Sequence, residues 1–321
     1  LTENGIQKGY GYNFVSDCSN AGECPKNTPL AARKPISPKP DALDNITYPS
    51  PYWHGTTVIG VIIGQHITEE ATLGGAPDAL VVPVRVMGTE GYHDSDLING
   101  MLWAAGIHPD IPNPNPAQVI NMSLGGDGQC PADMQKAIDD ILAKNISIVV
   151  AAGNSNKFGH PVVDPVSYPA NCKGVISVAA TNAYNHLANY SNVGDVTIAA
   201  PAGDSTPAME AIYALTFTTV YKPTKLKSIE YVDCPACFQY RTASGTSIAA
   251  PLVSAAVADL LSANPKLTPA EIIKILQDSA TPFASAADKC HLKPNTNKCI
   301  TNNAGILNVA KALELVKENK F

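Results

Sequence analysis

A serine, a histidine and an asparagine stand out because each sits where a core element meets a loop. Ser247 follows the tight turn Ser244-Gly245-Thr246 and opens a run to Leu261 that is rich in Ala and Leu. Ile248, Leu252, Val253, Ala256, Val257, Leu260 and Leu261 recur at three-to-four spacing almost all round, which predicts a buried helix. Pro251 falls in or beside the first turn of that helix, where few N–H groups have an intrahelical partner. The Ser247 hydroxyl then lies at a helix N-terminus, near unsatisfied N–H groups and the positive end of the dipole. A serine there can cap the helix, its commoner role. It can also attack a carbonyl, with the same N–H groups holding the oxyanion that results. His54 stands at the mouth of a second helix, whose apolar body to Gly64 is thinned by glycines. Asn154 follows the buried-strand pattern Val149-Val150-Ala151-Ala152-Gly153. Together the three supply a nucleophile, a general base and an oxyanion donor, the set that acyl transfer needs.

Elements far apart in the chain must bring these side chains together. From His54 onward helical and buried-strand patterns alternate. Ala79 to Val86 is a nearly continuous apolar run, the mark of a parallel strand covered on both faces. A helix follows within Gly91 to Gly106, capped by Ser95, with Asp96 in its first turn and Ile98, Leu102 and Ala105 facing inward. Val119 to Leu124 reads as a strand, Ala132 to Lys144 as a helix, and Ile146 to Ala151 and Gly174 to Ala180 as strands. Lys266 to Gln277 and Ile306 to Asn319 read as terminal helices. Such alternation predicts right-handed crossovers and a parallel sheet covered on both faces, with the site at the carboxyl ends of its strands. Residues 1–52 read as loop, because Pro25, Pro29, Pro35, Pro38, Pro40, Pro49 and Pro51 forbid a continuous helix or central strand.

The motifs resemble those of the subtilisin-like serine proteases, the subtilases. The family's HGTxVxG pattern matches His54 to Gly60, its AAGN matches Ala151 to Asn154, and its GTSxAAP matches Gly245 to Pro251. Leu80 to Met87, Ser95 to Gly106, Val119 to Gly126 and Val175 to Thr181 extend the match, in family order, over most of residues 50–280. The resemblance implies an α/β fold, a three-layer sandwich with a mostly parallel twisted sheet and helices on both faces. It implies one catalytic domain over 1–321, with insertion loops at 17–52 and 203–241. It implies a secreted endopeptidase in which Ser247 attacks, His54 moves the proton, and the Asn154 amide and Ser247 N–H bind the oxyanion. Ser123, Leu124, Gly125 and Gly126 would pair with a peptide backbone as an added strand, which favours broad specificity. Ala151, Ala152 and Gly153 would line the pocket for the side chain preceding the cut bond, closed near Ser167 and suited to medium or large apolar groups. Its partners would be protein or peptide substrates and its own N-terminal segment or propeptide, and the chain would be a monomer. No cofactor is required. Structural Ca²⁺ is a family habit, although no calcium loop is legible.

The family's catalytic Asp motif has no counterpart here. In the chain order Asp, His, Ser, only Asp17, Asp41 and Asp44 precede His54, and none follows an apolar strand or precedes Ser/Thr-Gly. Two expectations compete. The chain begins just downstream of the Asp, lacking also the inner strand that carries it, so that neighbouring strands expose edges. Alternatively, it is an inactive relative that binds peptides through Gly125-Gly126.

Composition narrows the class. The chain has 321 residues, 45% hydrophobic content and a net charge of −6, enough for a sizeable core. No basic run suggests nucleic acid, and the longest apolar run, Val58 to Ile63, is too short to span a bilayer. Eight cysteines argue for disulfides and an extracellular or periplasmic location. Proximity and the family's precedent pair Cys18 with Cys24, Cys130 with Cys172 and Cys290 with Cys299. Cys234 and Cys237 remain, as a local disulfide within the insertion. The other histidines show no metal-ligand spacing, and Asn45, Asn145 and Asn189 head glycosylation sequons.

Overall fold

The computed structural model describes residues 11–16, 54–64, 73–88, 91–154, 166–204, 212–217, 238–290, 299–300, 302 and 304–318. In chain order its elements are β1 (Tyr12–Asn13), α1 (His54–Ile63), β2 (Val84–Arg85), α2 (Asp94–Ala104), β3 (Val119–Met122), α3 (Ala132–Leu142) and β4 (Ser147–Ala151). There follow β5 (Ile176–Thr181), β6 (Ile198–Pro201), β7 (Ile212–Phe217), β8 (Phe238–Ala243), α4 (Thr246–Ala263), α5 (Pro269–Ser279) and α6 (Val309–Lys317).

β3, β4, β5 and β6 lie side by side in sequence order, all parallel, with Val119 opposite Ser147, Val149 opposite Ile176 and Val178 opposite Ile198. Every residue of β4 and β5 is buried. Their side chains alternate between two apolar layers, as strand geometry requires. Ile148 and Val150 meet Leu97, Met101, Ile138 and Ile141 from α2 and α3. Val149 and Ala151 meet Ile248, Val253, Val257 and Leu260 of α4, with Ile272 and Ile275 of α5 behind. Each fully buried Ile, Leu or Val contributes roughly 1.5–3 kcal/mol over an exposed one. Helices thus cover both faces of a parallel sheet, the three-layer α/β sandwich expected. α4 has the length and hydropathy of a membrane span, but 61% of it is buried within the protein as the central helix of one layer.

Several boundaries differ from expectation. α2 starts at Asp94 after His93, so Ser95 lies inside its first turn rather than capping it, while Asp96 is in that turn as expected. Both are buried, and the Asp96 carboxylate accepts from the N–H and hydroxyl of Ser16, each at 2.9 Å, tying down the segment after β1. The apolar run 79–86 yields only the short β2, with Leu80 60% exposed. Among the described residues β2 pairs only with β1, and β3 only with β4, so a continuous sheet is replaced by two separate parallel pieces. Residues 81–86 are half-exposed throughout, with Val84 and Val86 packed against the α2–α3 layer. β7 and β8 form an antiparallel pair, register Ile212 to Ala243.

Cys130–Cys172 and Cys290–Cys299 are bonded as expected. The expectations for Cys18, Cys24, Cys234 and Cys237, and for Asp17, Asp41 and Asp44, lie outside the described residues.

Candidate active site

Ser247 is the second residue of α4, not its cap. Gly245 is the N-cap, with φ 137°, and no side chain caps the helix there. The capping role is thereby excluded, and the Ser247 hydroxyl is left on the first turn with its residue half-buried. Pro251 lies in the body of α4 rather than its first turn. Lacking an N–H, it cannot serve the carbonyl four residues back, which is that of Ser247. The Ser123 hydroxyl takes that place, donating to the Ser247 carbonyl at 2.9 Å. Ser123 in turn accepts from the Asn121 amide at 3.0 Å, and the Asn121 carbonyl oxygen accepts from the Ser254 hydroxyl at 2.9 Å. The end of β3 is thus fastened to the first and third turns of α4.

Asn154 follows β4 and meets the same turn. Its Oδ1 accepts from the Thr246 N–H at 2.8 Å and the Thr246 hydroxyl at 3.0 Å. Thr246 Oγ1 also accepts from the Gly153 N–H at 3.1 Å. With Oδ1 committed, the amide orientation is fixed, and the donor end, Nδ2, makes no hydrogen bond among the described residues. The Ser247 N–H has none either. Two donors, the Asn154 amide that holds Thr246 and the backbone N–H of the next residue, therefore have no hydrogen-bond partner among the described residues. His54 begins α1, which packs against α4, and its residue is exposed at the helix mouth.

The expected substrate edge is divided. Gly126 is bonded antiparallel to Tyr168, N–H to carbonyl at 2.8 Å and 3.0 Å. Gly125, half of the same pair in sequence, keeps its N–H and carbonyl without partners among the described residues. Leu124 packs against the α2–α3 layer. Tyr168 donates to Asp94 Oδ1 at 2.9 Å, and burial with that carboxylate holds its phenol well above the ordinary range. Burial likewise pushes the neighbouring Tyr92 up to about 12, so both hydroxyls stay protonated near Gly126.

Ala151 and Ala152 are buried, while Gly153 and Ser167 border the open side. Ser167 donates its N–H to the Ala152 carbonyl at 2.8 Å, and its Oγ accepts from the Asn192 amide at 2.8 Å. Gly153 has φ 108°, and a Cβ there would collide with Ser167 Oγ and Asn192 Nδ2, so glycine is required. Asn192, wholly buried, and Thr246 are contributors that the sequence reading did not single out. Thr246 stood within a quoted motif as a spacer, and nothing in the pattern around Asn192 marks it as facing a serine far upstream.

The model of the Subtilase family matches residues 26–308. The extracellular basic protease of Dichelobacter nodosus is 35% identical over 298 residues, covering 87% of this chain and 44% of its own length. Subtilisin DY of Bacillus licheniformis is 30% identical over 230 residues, 71% of this chain and 70% of that protein. Among solved structures, a protease from Pseudoalteromonas arctica superposes with a TM-score of 0.72 at 31% identity, covering 98% of this chain and 85% of that one. The chain thus spans less than half the length of the Dichelobacter relative.

Proposed function

The chain belongs to the subtilase family, and on that premise we propose that it carries the hydrolytic centre of a secreted serine endopeptidase. The observation that carries this reading is the Asn154–Thr246 contact, which brings an amide to the turn bearing Ser247, with Nδ2 and the Ser247 N–H both without partners among the described residues. His54 takes the Ser247 proton as the oxygen attacks the scissile carbonyl. The developing oxyanion is received by the two open donors, already oriented by Thr246 and therefore costing no reorganisation. His54 then hands the proton to the leaving amine, and water repeats the sequence on the acyl-enzyme. The unpaired backbone of Gly125 supports strand-wise pairing with a peptide, while Gly126 serves to hold Tyr168 and the far wall. Ala151, Ala152, Gly153 and Ser167 supply a small-residue pocket suited to apolar side chains.

Catalysis in this family needs no cofactor. Structural Ca²⁺, implied by the resemblance, finds no fitting carboxylate group among the described residues, and no step here uses it. Two relatives are named extracellular proteases, which supports export, as do the disulfides. Nothing in the comparisons favours the alternative of an inactive peptide-binding relative.

The test is covalent labelling of the full-length protein with a fluorophosphonate. Label is expected on Ser247 and is abolished by Ser247→Ala and His54→Ala. Persistent label at another serine refutes the assignment.

A further inference from the structure

We propose that Tyr190 is a positioning residue for the nucleophile, its hydroxyl fixing the Gly245 peptide so that Ser247 and Asn154 stay in register. This role rests on the acyl-transfer reading above. Tyr190 is 1% exposed, packed in the layer that holds Ile248 and Ala249 of α4. A phenylalanine would bury the same ring without desolvating a hydroxyl. The hydroxyl is used on both sides: it accepts from the Gly245 N–H at 2.8 Å and donates to the Gly203 carbonyl at 2.7 Å, with the Ala202 carbonyl at 3.2 Å. It therefore bridges the segment after β6 to the turn before the nucleophile, which lies 55 positions beyond Tyr190. Burial holds its phenol well above the ordinary value, so it remains a neutral donor and acceptor.

What is pinned there has little stiffness of its own. Gly245, at φ 137°, ψ 156°, occupies backbone space open to glycine, where no Cβ restrains rotation. Its carbonyl accepts the first bonds of α4, from Ile248 at 2.8 Å and Ala249 at 3.3 Å, so any swing of this residue moves the whole first turn. Two successive N–H groups are thus held by side chains from two different elements, Gly245 by Tyr190 and Thr246 by Asn154. The third, that of Ser247, is left for the oxyanion. Loss of the Tyr190 hydroxyl leaves the Gly245 N–H buried and unmet, and the turn rotates to find another acceptor. The Asn154–Ser247 spacing then varies, which affects the transition state more than substrate binding.

The experiment measures kcat per active site, titrated by fluorophosphonate, and KM on a peptide anilide in the full-length protein, well below every melting temperature. Tyr190→Phe is expected to lower kcat by about tenfold, to leave KM within about twofold, and to slow labelling of Ser247 in parallel. Ile272→Val, a methyl removed from the same layer, lowers stability with kcat unchanged; an equal fall in kcat there overturns the proposal. Should Tyr190→Phe fail to fold, 3-fluorotyrosine at 190 keeps the hydroxyl as a weaker acceptor, and a smaller fall in kcat is expected. Unchanged kcat in a folded Tyr190 variant whose Ser247 is labelled refutes the positioning role alone. A parent protein unlabelled at Ser247 refutes the acyl-transfer reading and the proposal with it.

Discussion

The Ser123 hydroxyl donates to the Ser247 carbonyl, the one carbonyl of the α4 first turn that Pro251 leaves without a helical donor. A proline inside a helix is costly because a carbonyl loses its bond and must be met from elsewhere. Here the same residue pair that repairs the helix also anchors the nucleophile to the sheet. Ser123→Ala leaves that carbonyl and the Asn121 amide unmet. It is expected to cost about 1–3 kcal/mol in urea unfolding and to slow fluorophosphonate labelling. A variant matching the parent on both measures would remove Ser123 from the site.

Asn154 has two ends with separable duties. Asn154→Asp keeps an acceptor for Thr246 while losing the donor, so folding stability holds and kcat drops by roughly 10²–10³, the loss known for the equivalent donor of subtilisin. Asn154→Ala loses both, and its melting temperature falls as well. Equal kcat in the parent and the Asp variant would exclude the amide as an oxyanion donor.

Cys130 and Cys172 lie four residues beyond Gly126 and Tyr168, which are bonded to each other, so the disulfide closes the wall those two begin. The cysteines are separated by 42 positions. On the chain-entropy account, replacing both by Ala costs about 4 kcal/mol. Urea midpoints measure the loss, and KM for peptide substrates is expected to rise as the wall loosens. A midpoint equal to the parent's would contradict this.

His108 is held neutral by its surroundings. Burial lowers its pKa below the ordinary 6.5, outweighing Asp110, and Nδ1 accepts from the N–H groups of Asp110 and Ile111 at 3.2 and 3.1 Å. The unfolded chain therefore binds the proton more readily than the folded one. Stability from this group is complete above 6.5 and declines as pH falls through 6.5 toward the folded value. Urea unfolding at a series of pH values should show this slope, and His108→Asn, which keeps an acceptor for the turn, should flatten it. An identical slope in both would acquit His108.

Much of the scaffold was legible before folding. The largely apolar stretches 146–151 and 174–180 announce the strands found at Ser147–Ala151 and Ile176–Thr181, and the near-complete apolar wrap of 248–261 announces a buried helix. The reason is that burial on two faces leaves no polar position to disguise the pattern. The run at 79–86 has the same apolar character yet forms only the two-residue β2, half-exposed, because composition records what a strand can bury and not where the chain pairs.

The candidate site divides in the same way. Residue type and motif order alone named Ser247, His54 and Asn154, because nucleophilicity, proton transfer and amide donation belong to particular side chains. Tertiary structure decided that Ser247 is no cap, that Asn154 turns its oxygen toward Thr246, and that Gly126 pairs with Tyr168 while Gly125 has no backbone partner among the described residues. It also brought Tyr190 to Gly245 and Asn192 to Ser167. Hydrogen bonds form between groups that meet in space within about 3 Å. One-dimensional order holds no record of which distant groups those will be.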